Sequence, residues 1–226
     1  MSLKDNLEVV KKRIEKSALR VNRDPAEITL VAVSKTVEID VIKETYALGQ
    51  VDFGENRVQA LKPKSEALPQ ARWHLIGQLQ TNKVRDVVGR ACLIHSLDRW
   101  NLAEEIDRQA RTKKIIMPVL VQVNIAGEEQ KAGFMPADVE SFMEDIGQLG
   151  NLQVQGFMTM APLLGDPEEA RPVFREMHDL YKRLGKNNYP NVDLRYLSMG
   201  MSQDYEVAIE EGANIIRVGT SIFQGQ

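Results

Sequence analysis

The chain has 226 residues, of which 43% are hydrophobic, and its formal net charge at pH 7 is −3. This negative balance argues against nucleic acid or an anionic membrane surface as the main partner. The sequence has no run of eighteen apolar residues and no signal-peptide core, so we expect a cytoplasmic protein without a membrane span. The single cysteine, Cys92, lies in an apolar run and is predicted to be a small buried side chain.

The first segment of the chain predicts one amphipathic helix, because apolar residues recur at spacings of three and four between residues 3 and 21. From residue 28 onward, short apolar runs typical of buried strands alternate with helical patterns. Ser202 is predicted to cap one of these helices, which would extend to about Glu211. The strand candidates are residues 28–35, 51–53, 72–77, 91–95, 117–124, 152–158, 192–197 and 213–218.

The regular alternation of strands and helices predicts a parallel sheet, because each return to the same edge requires a crossover connection. Eight such units favour closure into an α/β (β/α)8 TIM-type barrel, preceded by an extra N-terminal helix. A doubly wound open sheet with fewer strands is the alternative. No Pro-, Gly- or Ser-rich linker and no change in composition divides the chain, so residues 1–226 are assigned to a single domain.

Lys35 closes the first predicted strand, where a barrel strand would emerge at the face that carries active sites. An amine held near apolar walls loses solvation, and its pKa falls toward values at which the neutral amine attacks a carbonyl. This is the physical requirement for a Schiff base. The alternative is a strand-end lysine whose ammonium extends into water.

The seventh and eighth predicted strands are followed by small residues that suit a phosphate group. Ser198, Gly200, Ser202, Gly219 and Thr220 offer hydroxyls and unobstructed backbone N–H groups. They belong to adjacent βα loops in which barrels frequently bind phosphate, and a helix N-terminus there favours an anion. The alternative is that these residues are ordinary turn formers.

Two further strand residues bear on the site. Arg217 ends the last strand among apolar neighbours, and burying it unpaired would be costly. It could pair with Glu55 or another acid, or face a ligand atom. His74 alternates with large apolar residues, so we interpret it as an interior hydrogen-bonding group, with a ligand role as the alternative. The strand ends hold no cluster of carboxylates and cysteines suited to a metal, and none is predicted.

Six segments together resemble the family of pyridoxal-phosphate homeostasis proteins. They cover nearly the whole chain and are specific as a spaced set. The resemblance implies the barrel of bacterial alanine racemase without its second, β-rich domain, a fold type III arrangement, with pyridoxal 5′-phosphate (PLP) as the cofactor. The segments are VAVSKT (31–36), FGENRVQ (53–59), WHLIGQLQTNK (73–83), GFMTMAP (156–162), YLSMGMSQDYEVAI (196–209) and IRVGTSIF (216–223).

The resemblance also implies roles for individual residues. Lys35 matches the lysine that forms a Schiff base with PLP, and Arg217 matches the arginine that faces the pyridine nitrogen. Asn56 lies in the motif beside the cofactor. The matching phosphate-binding positions are Ser198, Gly219 and Thr220, with Met199 and Ser202 next to them.

An arginine at the ring nitrogen donates hydrogen bonds and cannot accept them, so the pyridine should stay unprotonated and be a poor electron sink. The resemblance further implies that one acid–base group of alanine racemase belongs to the second domain, for which this sequence has no counterpart. We therefore expect a PLP-binding protein of vitamin B6 homeostasis with no established catalytic activity and no catalytic residue. We expect a monomer, with PLP-dependent apoenzymes as recipients of the cofactor.

Two enzymatic alternatives remain open at this point. The first is a PLP-dependent amino-acid racemase or lyase that uses His74 or a loop residue as its base. The second is a Schiff-base aldolase that acts on a sugar phosphate and binds no PLP.

Overall fold

The computed structural model describes residues 2–128, 130–162 and 165–224. In this part of the chain, eight parallel strands follow one another around a closed barrel, and the last strand pairs with the first. This confirms the (β/α)8 prediction over the open sheet. The strands are β1 (Thr29–Val33), β2 (Asp52–Glu55), β3 (Arg72–Leu75), β4 (Leu93–Leu97), β5 (Met117–Gln122), β6 (Leu152–Met158), β7 (Val192–Ser198) and β8 (Ile215–Val218).

Helices surround the barrel, and the predicted extra helix precedes the first strand. Its apolar face, with Leu7, Val10 and Ile14, is buried and packs beside the last two helices. Among the described residues, none of the helices is both long enough and apolar enough to cross a bilayer. The helices are α1 (Leu3–Arg20), α2 (Ile39–Ala47), α3 (Val58–Ala67), α4 (Val84–Val87), α5 (Trp100–Lys113), α6 (Val139–Asp145), α7 (Arg171–Leu184), α8 (Tyr205–Glu210) and α9 (Thr220–Phe223).

The strands bury side chains on both faces, because successive residues point to opposite sides of a sheet. The outward side chains pack against the helices and form most of the apolar core, which we call the outer layer. The inward side chains form the barrel interior. Its apolar part is small and consists of Val31, Leu93, Leu120, Met158 and Ile215.

Two predictions from the sequence are wrong. Cys92 is exposed, because β4 begins one residue later and the cysteine lies in the turn before it. Ser202 does not cap α8, because that helix begins at Tyr205 and Asp204 occupies the cap position. The Ser202 hydroxyl accepts a hydrogen bond from the N–H of Gly219 at 3.2 Å instead, and thereby connects the loops after β7 and β8.

Candidate functional site

A cavity of about 800 Å³ opens where the strands end, within the size range of small-molecule sites. Its walls come from the loops that follow seven of the eight strands, so barrel closure assembles it from distant parts of the sequence. Residues that the sequence analysis missed also line it, among them Ile76, Gln122 and Lys131. Six of the eight predicted site residues line this cavity: Lys35, Asn56, Ser202, Arg217, Gly219 and Thr220.

Lys35 lies at the wall of the cavity and is exposed to solvent. β1 ends at Val33, so the lysine sits in the turn beyond the strand instead of among apolar strand neighbours. Of the two readings of Lys35, this position agrees with a side chain that extends into water and not with a desolvated amine. The expected proximity to the loops after β7 and β8 is correct, since Lys35 shares the cavity with Ser202 and Thr220.

The backbone just before Lys35 is held by the polar side chains of Ser34, Glu55 and Lys64, which we call the Glu55–Lys64 clamp. The Ser34 hydroxyl donates to Glu55 Oε1 at 2.7 Å, and Lys64 Nζ donates to the same oxygen at 2.7 Å. Lys64 Nζ also donates to the Ser34 carbonyl at 2.7 Å. Glu55 is fully buried, and it pairs with this lysine and not with Arg217. The clamp fixes the point from which the Lys35 side chain extends.

Arg217 is buried at the base of the cavity. Its Nη1 donates to Ser198 Oγ at 2.6 Å and its Nη2 donates to the Thr159 carbonyl at 3.0 Å. No carboxylate of the described residues forms an ion pair with it. Burial lowers the pKa of Arg217 to about 10, which leaves the guanidinium charged at neutral pH. A guanidinium carries five N–H groups, so it retains donors for a molecule in the cavity.

The loops after β7 and β8 meet at Gly219 and Thr220, where α9 begins. A Cβ at position 219 would lie 2.9 Å from the Val33 carbonyl oxygen, so only glycine allows this approach of β8 to β1. The first N–H groups of a helix have no partner within it. Thr220 and Ser221 contribute such groups, together with their hydroxyls, to the cavity wall.

Asn56 follows β2 and lines the opposite part of the cavity. Its side-chain oxygen is buried and has no hydrogen-bond partner among the described residues. Gly77 packs against it so closely that a Cβ there would lie 2.2 Å from the Asn56 carbonyl oxygen. A buried acceptor of this kind is costly unless a donor reaches it.

Ser198 and Met199 are placed differently from the other predicted residues. Both are fully buried, and neither belongs to the cavity wall. Met199 packs in the outer layer. Ser198 lies beneath Arg217, and its hydroxyl is 3.0 Å from His95 Nδ1. Ser198 therefore reaches the cavity only through Arg217.

Two histidines continue this row of contacts through the barrel interior, and we call Asp52, His74, His95, Ser198 and Arg217 the polar column. His74 Nε2 lies 2.9 Å from Asp52 Oδ1, and His74 Nδ1 lies 3.0 Å from His95 Nε2. The interpretation of His74 as an interior hydrogen-bonding residue is correct. The role of His95 was missed, because β4 and β7 are distant in sequence and meet only in the closed barrel.

The two rings differ in charge. Burial alone would lower the pKa of His74, but the interactions with Asp52 and then with Cys92 together outweigh it and raise the pKa to about 9. Burial, together with the charges of His74 and Arg217, holds the pKa of His95 well below its usual value. His74 is therefore charged at neutral pH and His95 is neutral. No group of three or more His, Cys, Asp or Glu side chains in the described ranges could hold a metal ion.

Comparison with known proteins agrees with this architecture. The family model of the alanine racemase N-terminal domain matches residues 2–226. A pyridoxal phosphate homeostasis protein of Aquifex aeolicus is 46% identical over 225 residues, which cover 99% of this chain and 98% of that protein.

Two solved structures are also similar. The crystal structure of an unknown protein from Bifidobacterium adolescentis superposes with a TM-score of 0.93 at 34% identity, over 98% of this chain and 94% of the other. PipY of Synechococcus elongatus, solved with PLP bound, gives a TM-score of 0.83 at 37% identity, over 98% and 100%. The chain thus belongs to the alanine racemase N-terminal domain family and, within it, to the pyridoxal phosphate homeostasis proteins.

Proposed function

We propose that this protein binds PLP in the cavity, as a Schiff base on Lys35, and takes part in PLP homeostasis. The observation that carries the proposal is that Lys35, Arg217 and the loops after β7 and β8 line one cavity. The PLP bound to the similar PipY, and the name of the Aquifex relative, support it.

The residues present suit the chemical groups of PLP. The aldehyde of PLP forms a Schiff base with an amine, and Lys35 supplies an amine. A phosphate requires N–H groups and hydroxyls, and Thr220 and Ser202 carry hydroxyls in the same wall as Gly219. A pyridine nitrogen requires a donor, and Arg217 can only donate. The unpartnered oxygen of Asn56 offers an acceptor for a further donor of the ligand.

When bound, PLP supplies an aldehyde that an amine can capture reversibly. Lys35 would hold the cofactor through its Nζ, in a carbon–nitrogen double bond that would replace the C=O bond of the aldehyde with release of one water. The Glu55–Lys64 clamp holds the backbone at Ser34, so the amine starts from a fixed position. Ser202 and Gly219 connect the two loops that would surround the phosphate.

We propose binding without catalysis, and we assign no catalytic residue. His74, the candidate base of a racemase or lyase, does not line the cavity, and both its ring nitrogens are engaged with Asp52 and His95. The names of the relatives as homeostasis proteins also support this reading.

We propose a monomer, because the apolar face of α1 is covered by the chain itself. We further propose the cytoplasm as its location and PLP-dependent apoenzymes as its partners.

Titration of the purified protein with PLP, followed by its visible absorption, tests the proposal. We expect a yellow Schiff-base band in the native protein, its loss in Lys35→Ala, and its retention in the control Lys43→Ala, which alters an exposed residue of α2. A band of equal strength in Lys35→Ala would show that the lysine is wrongly assigned. No band in any of the three proteins would contradict PLP binding itself.

Deuterium exchange separates binding from catalysis. Amino acids incubated with the PLP-loaded protein in heavy water should keep the hydrogen on the α-carbon. A rate of exchange that increases with protein concentration and is lost in Lys35→Ala would support a racemase or lyase instead.

A further inference from the structure

The polar column crosses the barrel interior and ends at Arg217, on the base of the cavity. Its members come from five strands, β2, β3, β4, β7 and β8. Each member is buried, and consecutive members lie at hydrogen-bond distance. The column therefore connects the cavity to side chains that no ligand there would contact.

The two ends of the column determine the direction of its hydrogen bonds. Arg217 has donors and no acceptor, so Ser198 Oγ must accept from Nη1. Asp52 is a carboxylate that also binds Arg72, so it must accept from His74 Nε2. His74 is charged and carries a proton on Nδ1 as well, which it donates to His95 Nε2.

His95 can then have only one arrangement. The ring is neutral and accepts on Nε2, so its single proton lies on Nδ1. That proton points at Ser198 Oγ, 3.0 Å away. The serine oxygen therefore accepts two hydrogen bonds, one from His95 and one from Arg217. Two donors on one hydroxyl oxygen leave the serine side chain no freedom to rotate away.

This arrangement matters because Arg217 is a buried cation that has no carboxylate partner in the part of the chain that the structure describes. The charge of Asp204, in the loop after β7, acts on it from a distance, but Asp204 Oδ1 accepts from the Met201 N–H. What contacts the guanidinium is the Ser198 hydroxyl and the Thr159 carbonyl. Loss of either contact would leave a buried charged donor unpaired, and such a group moves toward another partner.

We propose that His95 is a positioning residue for Arg217, which it serves by donating to Ser198 Oγ and so fixing the oxygen that holds the guanidinium toward the ligand. This inference rests on the proposed function, since the ligand is PLP and the group that Arg217 faces is its pyridine nitrogen. His95 itself touches neither the cavity nor the ligand.

Two substitutions at position 95 separate positioning from packing. His95→Leu replaces the ring with an apolar side chain of similar length and so removes the donor. His95→Asn retains an N–H near the position of Nδ1. We expect PLP to bind about tenfold more weakly to His95→Leu, the loss typical of one hydrogen bond to a charged group, and near normally to His95→Asn. His178→Leu, on α7 and outside the cavity, is the matched control and should bind normally.

A second measurement observes the histidine protons of the native protein directly and does not depend on PLP affinity. Nitrogen-15 spectra of the native protein should show one neutral histidine with its proton on Nδ1, and the signal should be absent from His95→Asn. A proton on Nε2 of His95 would overturn the inference, as would equal PLP affinity of the native protein and a folded His95→Leu. Failure of the native protein to bind PLP would instead refute the proposed function, and the histidine spectrum would still report on the column.

Discussion

The outer layer and the barrel interior are built from the same strands, yet they differ in chemistry. On β3, Trp73 points outward into the apolar core while His74 points inward to the polar column. On β8, Ile216 and Arg217 show the same division. The outer layer contains most of the apolar core, whereas the interior combines a small apolar cluster with a hydrogen-bonded row. The outward side chains of the strands therefore stabilise the barrel, and the inward side chains form the polar column that ends at the cavity.

The Glu55–Lys64 clamp is one of the buried charged groups on the outer side of the strands. Glu55 points away from the barrel interior, beneath α3, and its charge is matched by one lysine of that helix. The clamp lies beside Lys35, where its hydrogen bonds hold the backbone at Ser34. The comparison thus predicts that changes in the apolar outer layer alter stability alone, and that changes in the polar column alter binding or the pH dependence of stability. Changes in the clamp should alter both stability and binding.

The largest effect is expected for Lys64→Met, which leaves Glu55 as a buried carboxylate without its cation. Removal of one partner from a buried pair costs about 3–5 kcal/mol of unfolding free energy, measurable by urea unfolding. The double variant Glu55→Leu with Lys64→Met should recover most of that stability but attach PLP more slowly, since Ser34 is no longer held. Native stability of Lys64→Met would contradict the role of the clamp.

The next effect is expected in the apolar part of the outer layer. Ile106→Ala removes a fully buried side chain of α5 and should lower the unfolding free energy by about 2–5 kcal/mol. The folded variant should still bind PLP with native affinity, because α5 does not reach the cavity. Leu19→Ala, at an exposed position, is the control and should change stability by less than about 0.5 kcal/mol. Weaker PLP binding by folded Ile106→Ala would contradict the prediction that the outer layer affects stability and not binding.

A pH-dependent effect is expected from the interior. The pKa of His74 rises from its usual 6.5 to about 9 on folding, so the protein holds this proton more tightly than the unfolded chain does. The resulting stability is fully present below pH 6.5 and is lost as the pH rises through 9, with a magnitude of roughly 3 kcal/mol. His74→Gln should remove this slope from urea unfolding curves. A slope that persists in the variant would assign it to another group.

The smallest effects separate the phosphate-facing loops from the polar column. Thr220→Ala removes one phosphate donor and should weaken PLP binding about tenfold while leaving the binding of pyridoxal, which has no phosphate, unchanged. Ser198→Ala removes a hydrogen-bond partner of Arg217 and should weaken the binding of both PLP and pyridoxal. Equal effects of the two variants on both ligands would show that Ser198 and Thr220 act on the same part of the cofactor.

The sequence predicted the barrel because its strand and helix patterns are local, and every predicted strand overlaps an observed one. It also placed Lys35, Arg217 and Thr220 in one site, because the rule that barrel sites lie at strand ends requires no coordinates. The errors came from loop geometry. Ser202 looked like a helix cap but binds the next loop, and Lys35 lies beyond its strand in solvent.

The polar column could not have been predicted from the sequence. His95 and Ser198 are separated by 103 positions, and only the stagger of a closed barrel brings them together. A histidine inside an apolar strand signals a buried partner, but it does not say which strand supplies that partner. The assignment of Ser198 to the phosphate remains a prediction, which the comparison of PLP with pyridoxal would test.

The most direct measurement is the site of covalent attachment. The protein is loaded with PLP, reduced with borohydride and digested, and the modified peptide is identified by mass spectrometry. We predict a single modified lysine, Lys35. Attachment at Lys131, the other lysine among the described residues that line the cavity, or at no residue in the cavity wall, would contradict the account.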